Sequence, residues 1–273
     1  MDMRMTPLFF NDQSAGSYMR ALLHVNSQDL TFTEETDGSH QTAVDILAVN
    51  FGEGGRVVDQ YNDTQTIKVP AAAYEKILRD GLSFVLNIPV KQPGSYQLHL
   101  ALRDTGSERA GAAGQYIEVP DLTKNRLVLS GIVLSGARAV RNIAASASDS
   151  LTAQEQPEMQ FSPALRRIRQ GMTLKYDYLI YNAQADAATG QPRLETQMRL
   201  FRDGKQVYAG TQMGLDASKQ SDLKRLSASG RIRIGLEYSP GAYVLQVIIT
   251  ETGAKNKSRA LVTTQSTDFE VVN

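Results

Sequence analysis

This sequence predicts an all-β protein of two tandem β-sandwich domains, and three observations carry the prediction. A fourteen-residue segment recurs, apolar residues alternate along short stretches, and turn-forming residues punctuate the chain. Residues 93–106 run PGSYQLHLALRDTG and residues 240–253 run PGAYVLQVIITETG. Pro, Gly, Tyr, Leu, Thr and Gly keep their spacing, and Asp104 is matched by Glu251. Each copy then crosses a polar loop to a similar tripeptide, Ile117-Glu118-Val119 in the first and Phe269-Glu270-Val271 in the second.

Within each copy the pattern has period two. Tyr96, Leu98, Leu100 and Leu102 fall on one side, as do Tyr243, Leu245, Val247 and Ile249. Successive side chains of an extended chain point to opposite faces, so this alternation describes a half-buried strand. Pro-Gly ahead of it supplies a tight turn. A Tyr just after the turn buries its ring while its hydroxyl reaches a backbone carbonyl, as in the tyrosine corner of immunoglobulin/fibronectin-like sandwiches. Both halves are therefore expected to end in the same pair of strands.

The remaining strands follow from turns and alternation. In the first half, Tyr18–Val25 is strand-like, and Thr31–Glu35 and Gln41–Asn50 flank the hairpin signal Asp37-Gly38. Gly52–Gly55 turns the chain ahead of Arg56–Tyr61, and Thr64–Val69 alternates. Pro70–Asp80 is the one short helix expected, with Pro to start it and Gly81 to stop it. Leu82–Ile88 alternates again. The second half opens with Arg126–Leu134, followed by Gly136–Met159, rich in Ala, Ser and Gln and expected to be a long loop. Met172–Tyr181, Leu194–Phe201, Gln206–Ala209 and Ser227–Leu236 complete the set, with Asp203-Gly204 as a second hairpin signal. The expected domains are 1–122, with the helix near 70–80, and 123–273, with the loop near 136–159. The boundary falls at Pro120–Lys124, where the first copy ends.

Composition narrows the classes. At 41% apolar and 21% charged residues the chain is globular in character. It has no Cys, which excludes disulfides and thiolate metal sites. No run approaches the length of a membrane helix, so no transmembrane segment is expected. No signal peptide is expected at Met1–Met5, since no apolar core follows a basic start. Net charge is zero overall but unevenly placed. Residues 1–122 carry 9 Lys+Arg and 16 Asp+Glu; residues 123–273 carry 20 and 13. A protein partner, or packing of one half on the other, would use this asymmetry; unrelated drift of two solvated surfaces accounts for it equally well.

Several clusters invite a chemical reading. Asp12, Ser14 and Gly16 echo an Asp-x-Ser-x-Ser metal loop with the last Ser replaced, but turn chemistry explains them. Asp37, Ser39 and His40 are adjacent within a hairpin, whereas a catalytic triad needs geometry across a fold. Asn50, Glu53 and Asp59 lack calcium-loop spacing. The three His residues, His24, His40 and His99, lack metal-ligand spacing, and the parity of His99 turns it toward solvent. Arg138, Arg141, Arg166, Arg167 and Arg169 form the densest basic region, a solvated strand edge or a contact for an acidic partner. No aromatic stacking motif accompanies it, so no nucleic-acid binding is expected. The expectation is no enzyme: no catalytic, cofactor-binding or metal residue stands out.

Several stretches resemble one family. They are Thr6–Asp12, Asp37–Gln60, Pro89–Asp104, Gly114–Leu122, Arg126–Leu134 and Tyr178–Gln184, with PGSYQLHLALRD followed by IEVPDL the most specific. Together they are similar to the region after the von Willebrand A domain in the VWFA-related proteins of Acidobacteria. The resemblance implies the C-terminal part of a longer, extracytoplasmic bacterial protein. Taken with the repeat and the lack of a catalytic constellation, it leads to the expectation of a non-enzymatic accessory or protein-interaction module, partnered by the upstream A domain or another chain. A carbohydrate- or cell-wall-binding module is the alternative, weakened by the lack of Trp. No catalytic residue is carried over, because the matching segments are strands and turns.

Overall fold

Alternating apolar residues between turn signals do become antiparallel strands. The computed structural model describes residues 1–139, 155–157, 162–186, 188–252 and 261–273. The chain divides into two compact units, Met1–Asp121 and Leu122–Asn273. Each unit contains two sheets, and the fold is all-β.

The first unit comprises β1 (Met3–Asp12), β2 (Gly16–Val25), β3 (Thr33–Glu34), β4 (His40–Phe51), β5 (Val57–Val69), α1 (Ala71–Asp80), β6 (Leu82–Pro89), β7 (Gly94–Asp104) and β8 (Ala110–Val119). One sheet has the order β1-β2-β6; the other has β3-β4-β7-β8, with β5 also paired to β4. The inward residues are those the alternation marks. Leu98, Leu100 and Leu102 of β7, Ile46 of β4, Leu23 of β2 and Leu86 and Ile88 of β6 are buried. The helix lies where Pro70 and Gly81 place it. Gly81 closes it at φ 84° and donates its N–H to the Ile77 carbonyl.

The second unit comprises β9 (Val128–Leu129), β10 (Val133–Ala139), β11 (Glu155–Pro157), β12 (Arg167–Arg169), β13 (Thr173–Tyr181), β14 (Leu194–Arg202), β15 (Lys205–Ala209), β16 (Met213–Leu215), β17 (Arg225–Arg233), β18 (Gly241–Glu251) and β19 (Leu261–Val272). One sheet runs β11-β10-β13-β17 with β9 on β13; the other runs β12-β19-β18-β14-β15 with β16 on β14. The chain changes sheet between β10, antiparallel to β13, and β12, parallel to β19. The core joins Leu174, Tyr178 and Ile180 of β13 to Leu245, Val247 and Ile249 of β18. Tyr176 fits because its partner across the ladder is Gly230, where a Cβ would strike the Tyr ring and hydroxyl.

The sequence repeat extends beyond the two strands that reveal it. In the first unit β4 pairs with β7 from Val44↔Asp104 to Phe51↔Gln97. In the second, β14 pairs with β18 from Leu194↔Glu251 to Phe201↔Val244. Repeat positions therefore meet the same register in both units. The tripeptides also align, Tyr96 opposite Ile117 and Tyr243 opposite Phe269. Both tyrosines make the expected corner. Tyr96 donates its hydroxyl hydrogen to the Gln92 carbonyl at 2.6 Å, and Tyr243 donates to Ser239 at 2.9 Å. Asp203 and Gly204, at φ 50° and 73°, form the tight turn between β14 and β15.

Four local expectations are corrected. Arg56–Tyr61 and Thr64–Val69 belong to one strand, β5, because β4 is long enough to pair along its whole length. Arg126–Leu134 splits into β9 and β10, since Ser130 turns its hydroxyl to the Leu179 N–H and interrupts the ladder. Within the expected loop 136–159, Gly136–Ala139 continue β10, and Glu155–Pro157 pair with it. Residues 140–154 and 158–159 lie outside the described residues. β1, like the short β12 and β16, is a strand that alternation does not show. Phe9 is on the β1 face opposite Leu8 and Phe10, and the Arg20 guanidinium lies 5.0 Å from the Phe10 ring centroid and 5.5 Å from that of Tyr18.

Removing either corner hydroxyl is expected to cost about 1 kcal/mol, the net worth of one hydrogen bond. Tyr96→Phe and Tyr243→Phe should each lower the urea midpoint. Tyr243→Phe should cost more, because its hydroxyl also accepts from Arg202 at 3.1 Å.

Candidate functional site

The most chemically distinctive side chains are two carboxyls at one repeat position. Asp104 ends β7 and Glu251 ends β18; both are buried, at 0% and 1% exposure. Asp104 is fully provided for. Its oxygens accept from the Thr31 N–H at 3.1 Å and hydroxyl at 2.8 Å, and from the Ser107 N–H at 2.8 Å and hydroxyl at 2.6 Å. Burial pushes its pKa up, but these donors outweigh burial and hold it below the usual range. Glu251 accepts from the Gln184 N–H, while its other oxygen has no partner among the described residues. Burial therefore prevails and raises its pKa. Each carboxyl ties the end of its strand to a loop earlier in the same unit. Their role is structural.

The residues that invited chemistry are each engaged in packing or turns. Asp12 accepts from the Ser14 N–H at 2.8 Å and from the Ser14 hydroxyl and Ala15 N–H, closing the β1–β2 hairpin. Asp37 accepts from Lys68 at 2.8 Å and from Ser39, and these partners hold its carboxyl well below the usual range. His40 lies flat on Tyr74 of α1, ring centroids 3.5 Å apart, and Phe32 meets the same Tyr edge-on. The Ser39 hydroxyl donates to Asp37, so the hairpin residues form a turn and a helix seat. Asn50 pairs with Asp59 across the ladder, while Glu53 lies in a 3-10 turn. His24 meets Ser83 through Nδ1 at 2.9 Å. Among the described residues, no group of three or more His, Cys, Asp or Glu could hold a metal ion.

Two residues of the basic region are engaged with the protein's own acids. Arg166 reaches Asp268 at 2.6 Å, and Arg167 reaches Glu270 at 2.7 Å. These pairs flank the parallel contact of β12 with β19. Arg141 lies outside the described residues.

A feature the period-two pattern does not reveal is an exposed apolar face. On β4, Ile46, Ala48 and Asn50 point inward, so Leu47, Val49 and Phe51 lie on the outer face. They line a shallow depression with His99 and Ala101 of β7 and Ala112 and Gly114 of β8. Leu47 is 44% exposed. His99, outward as its parity requires, meets the Phe51 ring edge-on at 5.1 Å. Gly114 leaves room for that imidazole, since a Cβ there would come within 3.2 Å of it. The signal in the sequence is the run Ile46-Leu47-Ala48-Val49, apolar where alternation calls for polar residues. A second outer-face depression in the other unit includes Phe201, Val244 and Gln246. Phe51 and Phe201 meet equivalent positions of the repeat.

The fold and surface define a class: an all-β protein of sandwich construction, with exposed apolar sheet faces. No protein-family model matches the chain, and no curated protein matches it. Among the described residues no helix is long and apolar enough to cross a membrane.

The two carboxyls should respond to pH in opposite senses. The folded-state pKa of Asp104 is depressed, so its stabilisation is present above the unfolded value of about 3.9 and is lost as pH falls through the folded value. Asp104→Asn should cost about 2–3 kcal/mol at pH 7, by urea titration, with the difference shrinking below pH 4. The folded-state pKa of Glu251 is raised, so its contribution is present below the unfolded value of about 4.3 and is lost as pH rises through the folded value. Glu251→Gln should become more stable relative to wild type as pH rises from 4 to 7.

Proposed function

We propose that this chain is a non-enzymatic accessory module of a larger, exported von Willebrand A-containing bacterial protein. In this reading it binds the A domain of that protein through the outer face of β4, β7 and β8. The observation that carries the reading is the outer-face apolar cluster of exposed Leu47 and half-buried Val49 and Phe51 beside Ala101, Ala112 and Gly114. Small residues flanking large apolar ones make a shallow surface suited to protein contact. The titratable groups nearby are engaged structurally: Asp45 accepts from Thr64 at 2.7 Å and from Arg103 at 2.7 Å. A glycan platform would need a row of aromatic faces. The exposed tyrosines, Tyr116 and Tyr208, fall in different units, and Phe51 and His99 meet at 77°. These placements favour protein over carbohydrate as the partner.

The test is a titration of the A domain encoded in the same reading frame, expressed separately, with this chain by isothermal calorimetry. A saturable 1:1 complex is expected. Leu47→Asp should weaken it about tenfold or more, because a buried carboxylate would replace an apolar contact. An upstream reading frame without an A domain, or an A domain that does not bind, overturns the reading.

A further inference from the structure

We infer that the free edge of β5 is a self-association surface, on which β5 of a second copy of this chain pairs antiparallel about Thr64. The inference is independent of the accessory role above, which uses a sheet face. β5 is bonded along one side to β4 from Val57 to Val69. Among the described residues no strand pairs with its other side. Such an edge presents a row of N–H and C=O groups that another strand can take up.

The corresponding edge in the second unit is guarded. Beside β14 the strand is broken into β15 and β16, five and three residues long. Short edge strands are one way proteins discourage pairing; Pro, Lys and bulges are others. Between Asp59 and Ile67, β5 has no Pro, no Lys and no register shift; its charges there, Asp59 and Asp63, are on the inner-face parity, where Asp63 accepts from the Tyr61 hydroxyl at 2.8 Å, and its one irregularity lies at its start, opposite Asn50 and Phe51.

The sequence of β5 is also self-complementary in one register. Asn62 pairs with Leu47 and Thr64 with Asp45, so even-numbered residues share the outer face. A two-fold axis normal to the sheet keeps outer face with outer face, so paired residues must have the same parity. With the axis at Thr64, that residue faces its own copy. Asp63 then faces Gln65, Asn62 faces Thr66, Tyr61 faces Ile67, Gln60 faces Lys68 and Asp59 faces Val69. Thr–Thr and aromatic–β-branched pairs are favourable across strands, and no like charges meet. Moving the axis to Asp63 sets two aspartates face to face. Moving it to Asn62 carries the strand end into the irregular stretch at Val57–Val58. The pairing about Thr64 joins two β5-β4-β7-β8 sheets into one.

Sedimentation equilibrium of the full chain tests this. Thr64 is exposed and its hydroxyl donates to Asp45 on the same outer face at 2.7 Å, so its substitution gives up a surface hydrogen bond and spares the core. Wild type is expected to dimerise reversibly. Thr64→Lys and Thr64→Glu each place like charges on the axis and should each weaken dimerisation about tenfold or more. An equimolar mixture of the two should recover the dimer, which also reports that both variants fold. A wild type monomeric at every concentration overturns the inference. So do single variants that dimerise as well as wild type, or a mixture that stays monomeric.

Discussion

Both units depend on one interaction, the hydrogen bond from a buried tyrosine hydroxyl to a carbonyl four residues earlier. Tyr96 and Gln92 make it in the first unit, Tyr243 and Ser239 in the second. The bond fixes where the central strand begins and which of its faces is inward. Once Tyr is inward, every second residue after it is inward too, and Leu98, Leu100 and Leu102 follow without further choice. The register of the neighbouring strands propagates from there, which is why β4–β7 and β14–β18 pair at the same repeat positions.

The other end of the same strand shows how one scaffold tolerates different chemistry. Position 104 and position 251 both bury a carboxyl. In the first unit two short polar residues supply four donors, and the charge is accommodated. In the second the longer Glu reaches a single N–H, leaving an oxygen unsatisfied and its ionised form penalised. The shared geometry is conferred by the strand; the electrostatic outcome is set by whichever loop happens to pack over it.

The surface departs from the repeat. The second unit divides the strand at its β14 edge, whereas the first leaves β5 long and, among the described residues, unpaired on its far side. The first unit also exposes Leu47, with half-buried Val49, beside small residues on a sheet face. The same sandwich core thus presents different contact chemistry in its two copies, and the features proposed as contact surfaces lie in the first unit. One uses the outward residues of the repeated pair itself, His99, Ala101, Ala112 and Gly114; the other uses β5, outside that pair.

The fold class, the central strand pair, the helix over Ala71–Asp80 and the Asp203-Gly204 turn were legible in the sequence, because each rests on local rules of periodicity, capping and turn geometry. β1 was not legible, since Leu8, Phe9 and Phe10 are apolar on both faces and carry no period. The division of Arg126–Leu134 depends on Ser130 meeting Leu179, a contact between residues distant in the chain. Nor could the sequence show that Arg166 and Arg167 are paired with Asp268 and Glu270. The outer apolar face had a trace in Ile46–Val49, but exposure depends on which side the core takes. The free edge of β5 is likewise a property of sheet order. Local geometry is written in neighbouring residues; which charges meet, which faces are covered and which edges stay open is decided only when distant segments come together.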